Sequence, residues 1–188
     1  MLEQHQKPVH LLGHSVGGAV AAMVAARRPD LLASLVSVEG NFTLKDAFWS
    51  AQIAEKTDAE VSAIVESYRA DANVWMNGAI ARQTMLSTRL AIEWLAHQPA
   101  TTIKAQARAV VAATAPAQYL KDLRNTMESV LPVYLIGGCN SGDSWDTPDW
   151  ANRLCRLRIN ITDTGHLMMV ESPERFANSV KLAIAYQD

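Results

Sequence analysis

The chain has 188 residues, a length typical of one domain or a large part of one. Its net charge is −2 and its Lys and Arg residues are scattered, which argues against a nucleic-acid or anionic-membrane surface. No apolar run reaches the roughly 18 residues that a membrane span needs, so we expect no membrane span.

Two further features of composition favour the cytoplasm. The first ten residues, MLEQHQKPVH, are polar, and we therefore expect no secretory signal there. The two cysteines, Cys139 and Cys155, are too far apart for a CxxC site and too few for a disulfide scaffold. We expect a reducing, cytoplasmic setting and no cofactor or metal.

The chain begins with a predicted strand, sharp turn, helix and second strand. VHLLG (9–13) is a short apolar run that stops at Gly, and GGAVAAMVAARRPD (17–30) has helical spacing and a proline stop signal. LASLVSVEG (32–40) is a second buried strand. This βαβ order predicts a parallel sheet and an α/β fold.

Residues 42–129 contain only helical patterns. They fall in five segments, the second of which opens with a capping box from Thr57 to Glu60: 44–54, 57–71, 81–99, 102–115 and 116–131. Strands return at 132–138 and 157–163, with a turn-rich loop at 139–150 between them, and a helix is predicted over 172–187. We therefore divide the chain into a partial α/β core (1–41), an all-helical insertion (42–129) and a C-terminal α/β core (130–188).

The candidate nucleophile is Ser15, in the Gly-x-Ser-x-Gly sequence GHSVG (13–17). A tight turn between a strand and a helix strains the serine, and the small neighbours Gly13 and Gly17 let the two elements approach. The hydroxyl then projects at the carboxyl end of the strand. The Val16 N–H lies at the start of the helix, where it can stabilise an oxyanion.

The candidate base is His166, one of five histidines. His5 and His10 precede the motif, His14 is expected to point away from Ser15, and His97 ends a helix. His166, in TDTGHLMMVESPERF, follows a strand and a Gly and precedes a capped helix. A loop at that place can reach the loop that carries Ser15.

These two segments together resemble the α/β-hydrolase family. GHSVGG resembles its nucleophile elbow, TGH followed by ESPERF resembles the segment with the catalytic histidine, and the order Ser then His fits. The helical insertion of this chain resembles the lid of that family. Large apolar residues of such a lid can line an apolar substrate pocket, although they more commonly pack between lid helices. In this insertion they are Phe48, Trp49, Trp75, Met76, Met85 and Trp94. The resemblance implies a serine hydrolase that forms an acyl-enzyme with a small, apolar ester, thioester, amide or related substrate.

The resemblance leaves the acid of the triad open. The family places it about three residues after the Gly that ends the third strand, but Asn140 or Ser141 stands there. We favour Asp143 of the same loop, then Glu39 at the end of the preceding strand, with Asp146 below both. Either of the first two could orient and stabilise His166.

The elbow lies close to Met1, so we expect the strands that precede it in the family, and the loop with the second oxyanion donor, to be absent from this chain. An uncovered strand edge would favour self-association. Two functions compete: an α/β-hydrolase serine hydrolase represented by its C-terminal part, or a catalytically impaired remnant that acts as a binding or assembly module.

Overall fold

A computed structural model describes residues 2–5 and 7–186 as a parallel sheet with helices on both sides. The four strands are β1 (Val9–His14), β2 (Leu32–Val38), β3 (Val133–Gly138) and β4 (Leu157–Ile161), and they lie in the order β1-β2-β3-β4. All three strand pairings are parallel. The predicted α/β class and parallel sheet are confirmed.

Helix α1 (Val16–Arg27) joins β1 to β2. Between β2 and β3 the chain forms a helical block of six helices: α2 (Phe48–Glu55), α3 (Asp58–Ala70), α4 (Ala72–Met76), α5 (Met85–Ala96), α6 (Ala100–Thr114) and α7 (Ala117–Glu128). Helix α8 (Asp149–Leu154) precedes β4, and α9 (Met168–Glu171) and α10 (Pro173–Ala185) follow it. Short 3₁₀ turns cover Leu2–Gln4 and Pro29–Leu31.

The two faces of the sheet bury separate cores because successive strand residues point to opposite sides. Leu35 and Leu135 face α1, α7 and α8. Their neighbours Val36 and Ile136 face α10 instead. Every residue of β3 is buried, as expected of a strand covered on both faces.

The helical block has its own interior. One buried cluster joins α2, α3 and α6 through Ile53, Val61 and Ile103, and a second centres on α4 and α5. The capping box of Thr57 and Glu60 is present at the start of α3. The last two helices of the block also reach the core beneath the sheet, since Val110 of α6 and both Leu123 and Met127 of α7 belong to that core.

Strand β1 lies at one edge of the described sheet. It pairs with β2, and within residues 2–5 and 7–186 no strand pairs with its other side. Leu12 pairs in register with the buried Val36, yet Leu12 is 39% exposed. The face that α10 covers elsewhere is therefore open at this strand.

Near the start of the chain, Leu2–Gln4 forms a 3₁₀ turn, and residues 1 and 6 lie outside the described residues. The predicted last helix is observed from Pro173 to Ala185, while position 187 lies outside that part of the chain. No helix among the described residues is both long and apolar enough to span a bilayer.

Candidate active site

Ser15 lies in a strained turn between β1 and α1, at the carboxyl end of the sheet. Its φ is 52° and its ψ is −122°, a conformation that costs a non-glycine residue about 1–3 kcal/mol. Backbone bonds hold the turn: the Ser15 N–H donates to Val38 O at 3.0 Å, and Ser15 O accepts from Gly18 N–H at 2.8 Å. The sequence predicts this geometry for a nucleophile: a tight turn between a strand and a helix, with strained backbone dihedrals at the serine.

Two glycines, only one of them in the predicted pair, allow the elements to meet here. A Cβ at Gly13 would lie 2.3 Å from Gly17 O, and one at Gly18 would lie 2.3 Å from the Cα of Gly40. A Cβ at Gly17 would meet nothing within 4 Å. The close approach therefore depends on Gly13 and Gly18, and Gly17 contributes only its backbone.

His166 is paired with Glu39 across the carboxyl ends of β2 and β4. The distance between His166 Nδ1 and Glu39 Oε2 is 2.7 Å, and Glu39 is only 4% exposed. A carboxylate that accepts from Nδ1–H fixes the imidazole tautomer and leaves Nε2 free to accept a proton. A pair with this geometry is able to act as a general base with an orienting acid.

The second oxygen of Glu39 is bound by the loop after β3. Glu39 Oε1 accepts from the Gly138 N–H at 2.8 Å and from the Ser141 hydroxyl at 2.6 Å. Burial by itself would raise the pKa of Glu39, but the hydrogen bonds from His166, Ser141 and Gly138 outweigh it and lower that pKa. Glu39 therefore stays ionised beside His166.

The structure places Glu39, and not Asp143 or Asp146, in hydrogen-bond contact with His166. Asp143, our first choice, is exposed, and no hydrogen bond or ion pair within residues 2–5 and 7–186 joins it to His166. Asp146 accepts from the Thr43 hydroxyl at 2.6 Å and lies 3.4 Å from Lys45 Nζ. The loop turns back on itself at Gly138–Gly142 through a bond from Gly142 N–H to Gly138 O, which carries Asp143 outward.

His14, which the sequence argument set aside, lies beside His166. Its Nε2 is 3.0 Å from His166 O, and the two ring centroids are 4.5 Å apart. Burial, and then the neighbouring His166, lower the pKa of His14 from 6.5 to about 4, so His14 is neutral near pH 7. Because His14 immediately precedes Ser15, this bond connects the serine turn to the histidine loop.

Ser15 and His166 are thus brought to the same edge of the sheet, although no hydrogen bond within the described chain joins their side chains. Catalytic hydrogen bonds of this kind are often long until substrate binds. Val16 is the first residue of α1, where backbone N–H groups lack partners within the helix. Its N–H is therefore available to an anion at this end.

The large apolar residues of the helical block divide between interior and surface. Met76 is buried, and Trp49, Trp75 and Trp94 pack partly buried against the two clusters of the block. Phe48 is 65% exposed and Met85 is 92% exposed. Most of these residues therefore pack between helices, and two remain available to a ligand.

Other reactive groups do not add to the site. Cys139, which follows β3, is an exposed free thiol, and Cys155 is a half-buried one. Among the described residues, no group of three or more His, Cys, Asp or Glu side chains could hold a metal ion.

Comparison with known proteins points to one family. The model of the Alpha/beta hydrolase family matches residues 1–179. No curated protein matches the sequence. The solved structures that resemble the chain include Cfl2 from Burkholderia cenocepacia, with 16% identity and a TM-score of 0.70 over 95% of this chain and 66% of Cfl2.

Two further structures share the fold at low identity. A loop variant of the haloalkane dehalogenase DbeA from Bradyrhizobium elkanii has 18% identity and a TM-score of 0.66, over 95% of this chain and 67% of DbeA. A thermophilic esterase has 15% identity and a TM-score of 0.61, over 93% of this chain and 64% of the esterase. The chain thus spans about two thirds of the length of these structures.

Proposed function

Because this chain belongs to the alpha/beta hydrolase family, we propose that it is a serine hydrolase acting on an ester, thioester or related acyl substrate. The observation that carries the proposal is the 2.7 Å pair of His166 and Glu39, which His14 connects to the strained turn at Ser15. A buried carboxylate, an imidazole and a strained serine at one sheet edge are the parts that acyl transfer needs.

In the proposed reaction, Ser15 Oγ attacks the acyl carbon while His166 Nε2 takes the hydroxyl proton. Glu39 accepts from Nδ1–H throughout and stabilises the imidazolium that forms. We assign this role to Glu39 in place of Asp143. The Val16 N–H donates to the oxyanion that develops on the carbonyl oxygen.

Collapse of the tetrahedral intermediate breaks the bond to the leaving group, which takes the proton from His166. Water then attacks the acyl-enzyme, again giving a proton to His166, and the carboxylic acid departs as Ser15 recovers its hydrogen. A serine at the nucleophile position favours this acyl chemistry over the reactions of relatives that use an aspartate nucleophile.

We propose an apolar acyl group as the substrate. The exposed Phe48 and Met85 of the helical block supply apolar surface that is not used in its interior. We further propose that this block (42–129) acts as a lid over the site, and that the protein works in the cytoplasm, where its two free thiols remain reduced.

A second candidate function is that of a binding or assembly module. The observation in its favour is that, within residues 2–5 and 7–186, no strand pairs with the outer side of β1, where Leu12 is exposed. An open strand edge next to uncovered apolar surface is a site for adding another strand.

A fluorophosphonate probe tests the proposed chemistry directly, because it labels activated serines. We expect covalent labelling of the purified chain at Ser15 and turnover of p-nitrophenyl esters. Ser15→Ala should abolish both, and His166→Ala should lower both by at least about 10³-fold. Absence of Ser15-dependent labelling and of ester turnover in the folded wild-type chain would favour the binding module.

A further inference from the structure

The loop that carries His166 is held on both sides of the histidine. The Gly165 N–H donates to Glu171 Oε2 at 2.6 Å, and the Leu167 N–H donates to Ala79 O at 2.9 Å. Neither partner belongs to the proposed triad. The position of the His166 backbone is therefore set partly by α9 and partly by the helical block.

The same Glu171 also binds the helical block through its other oxygen. Glu171 Oε1 accepts from the Ala81 N–H at 2.7 Å and from the Arg82 N–H at 3.2 Å. Both donors lie in the connection between α4 and α5 (77–84). One carboxylate thus joins this connection to the loop of the proposed base.

At Gly165 the loop also packs closely against the α4–α5 connection. A Cβ at Gly165 would lie 2.9 Å from Ala79 O and 3.2 Å from the Cα of Ile80. Leu167 packs against the buried cluster that contains Ile80 and Met76. A shift of the connection would therefore move Gly165, and with it His166.

We propose that Glu171 is a positioning residue for His166, with its carboxylate clamping the His166 loop to the α4–α5 connection of the helical block. The inference rests on the proposed function, since it concerns the base of that reaction. A carboxylate suits the task because both oxygens only accept hydrogen bonds. A glutamine has one acceptor oxygen, and its NH₂ group would face N–H donors.

The test replaces Glu171 by Gln and uses Glu174→Gln as the matched control. Glu174 lies three residues further on, is exposed, and forms no hydrogen bond or ion pair within the described chain. We expect Glu171→Gln to lower kcat for a p-nitrophenyl ester, and the rate of fluorophosphonate labelling, by about 10–100-fold, as small misplacements of a catalytic group do. KM should change by less than about threefold, and Glu174→Gln should match the wild type.

A second readout does not depend on catalysis. The proton shared by His166 Nδ1 and Glu39 should give a low-field NMR resonance, assigned by its loss in His166→Ala. We expect that resonance to broaden or shift in Glu171→Gln but not in Glu174→Gln. If the wild type is not labelled by the probe, the proposed function fails, while this resonance still decides whether Glu171 positions His166.

If Glu171→Gln is labelled at the wild-type rate and its resonance is unchanged, the proposal is overturned. Should that variant fail to fold, Gly165→Ala keeps the carboxylate but presses a methyl group against Ala79 O. We then expect Gly165→Ala to lose labelling and to shift the same resonance. If the labelling rate and the resonance of Gly165→Ala both equal those of the wild type, the proposal is likewise overturned.

Discussion

At the scale of single residues, the two carboxylate oxygens of Glu39 bind different parts of the site and so connect them. Oε2 pairs with His166, whereas Oε1 takes the Gly138 N–H and the Ser141 hydroxyl. The Ser15 turn and the loop of His166 could both be identified from the sequence, because each is a local motif. The choice between Asp143 and Glu39 could not, since it depends on how the loop after β3 folds back.

Exchange of the carboxylate for an amide tests which acid serves His166. We expect Glu39→Gln to lower kcat by on the order of 10³–10⁴, because the amide can favour the wrong imidazole tautomer. Asp143→Asn should stay within about twofold of wild type, since Asp143 is exposed and no hydrogen bond or ion pair within the described chain joins it to His166. Steady-state kinetics on a p-nitrophenyl ester measures both, and equal activity of the two variants would contradict both assignments.

His14 predicts a dependence of stability on pH. Its folded pKa of about 4 lies below the ordinary value of 6.5, so between these pH values the unfolded chain binds a proton that the folded chain does not. Stability is therefore retained above pH 6.5 and falls on acidification toward pH 4, with a slope of up to about 1.4 kcal/mol per pH unit from this group.

Urea unfolding between pH 7 and pH 4 measures that dependence. His14→Gln keeps an N–H donor for His166 O but cannot titrate, so its free energy of unfolding should fall less steeply than that of the wild type. His97→Gln, at the exposed end of α5, is the control and should keep the wild-type slope. Parallel curves for wild type and His14→Gln would contradict the depressed pKa.

At the scale of elements, the four strands, α1 and α10 follow from the sequence because each combines an apolar pattern with a clear stop or cap. The short helices α4, α8 and α9 were not predicted. They have five, six and four residues, too few to show a helical period, and packing rather than propensity holds them in place. The sequence also did not indicate that α7 packs beneath the sheet with α1.

The contact between α1 and the end of β2 gives a matched pair of variants. Gly18→Ala should destabilise the fold by about 1–3 kcal/mol, because its Cβ would overlap the Cα of Gly40. Gly17→Ala, one position earlier in the same helix, meets nothing and should leave stability unchanged or slightly higher. Chemical denaturation distinguishes them, and equal stability of the two variants would refute the close approach.

At the scale of the whole molecule, no strand within residues 2–5 and 7–186 pairs with the outer side of β1, and we expect this edge to favour association between copies of the chain. We predict concentration-dependent self-association in sedimentation velocity experiments, driven by edge pairing and by burial of Leu12. Leu12→Lys should weaken it, because a lysine at a strand edge opposes pairing. Ile92→Lys, on the exposed face of α5, is the control, and a monomer at all concentrations would rule the association out.

The hydrogen bonds around His166 also bear on the order in which the molecule folds. The bond to Glu39 joins residues 127 positions apart, and the bond to His14 joins residues 152 positions apart. Closing such long segments of chain costs entropy that only later contacts repay. The turn at Ser15 needs only the nearby strand β2, whereas His166 reaches it only after β4 has docked, so during refolding we expect the capacity to react to appear last.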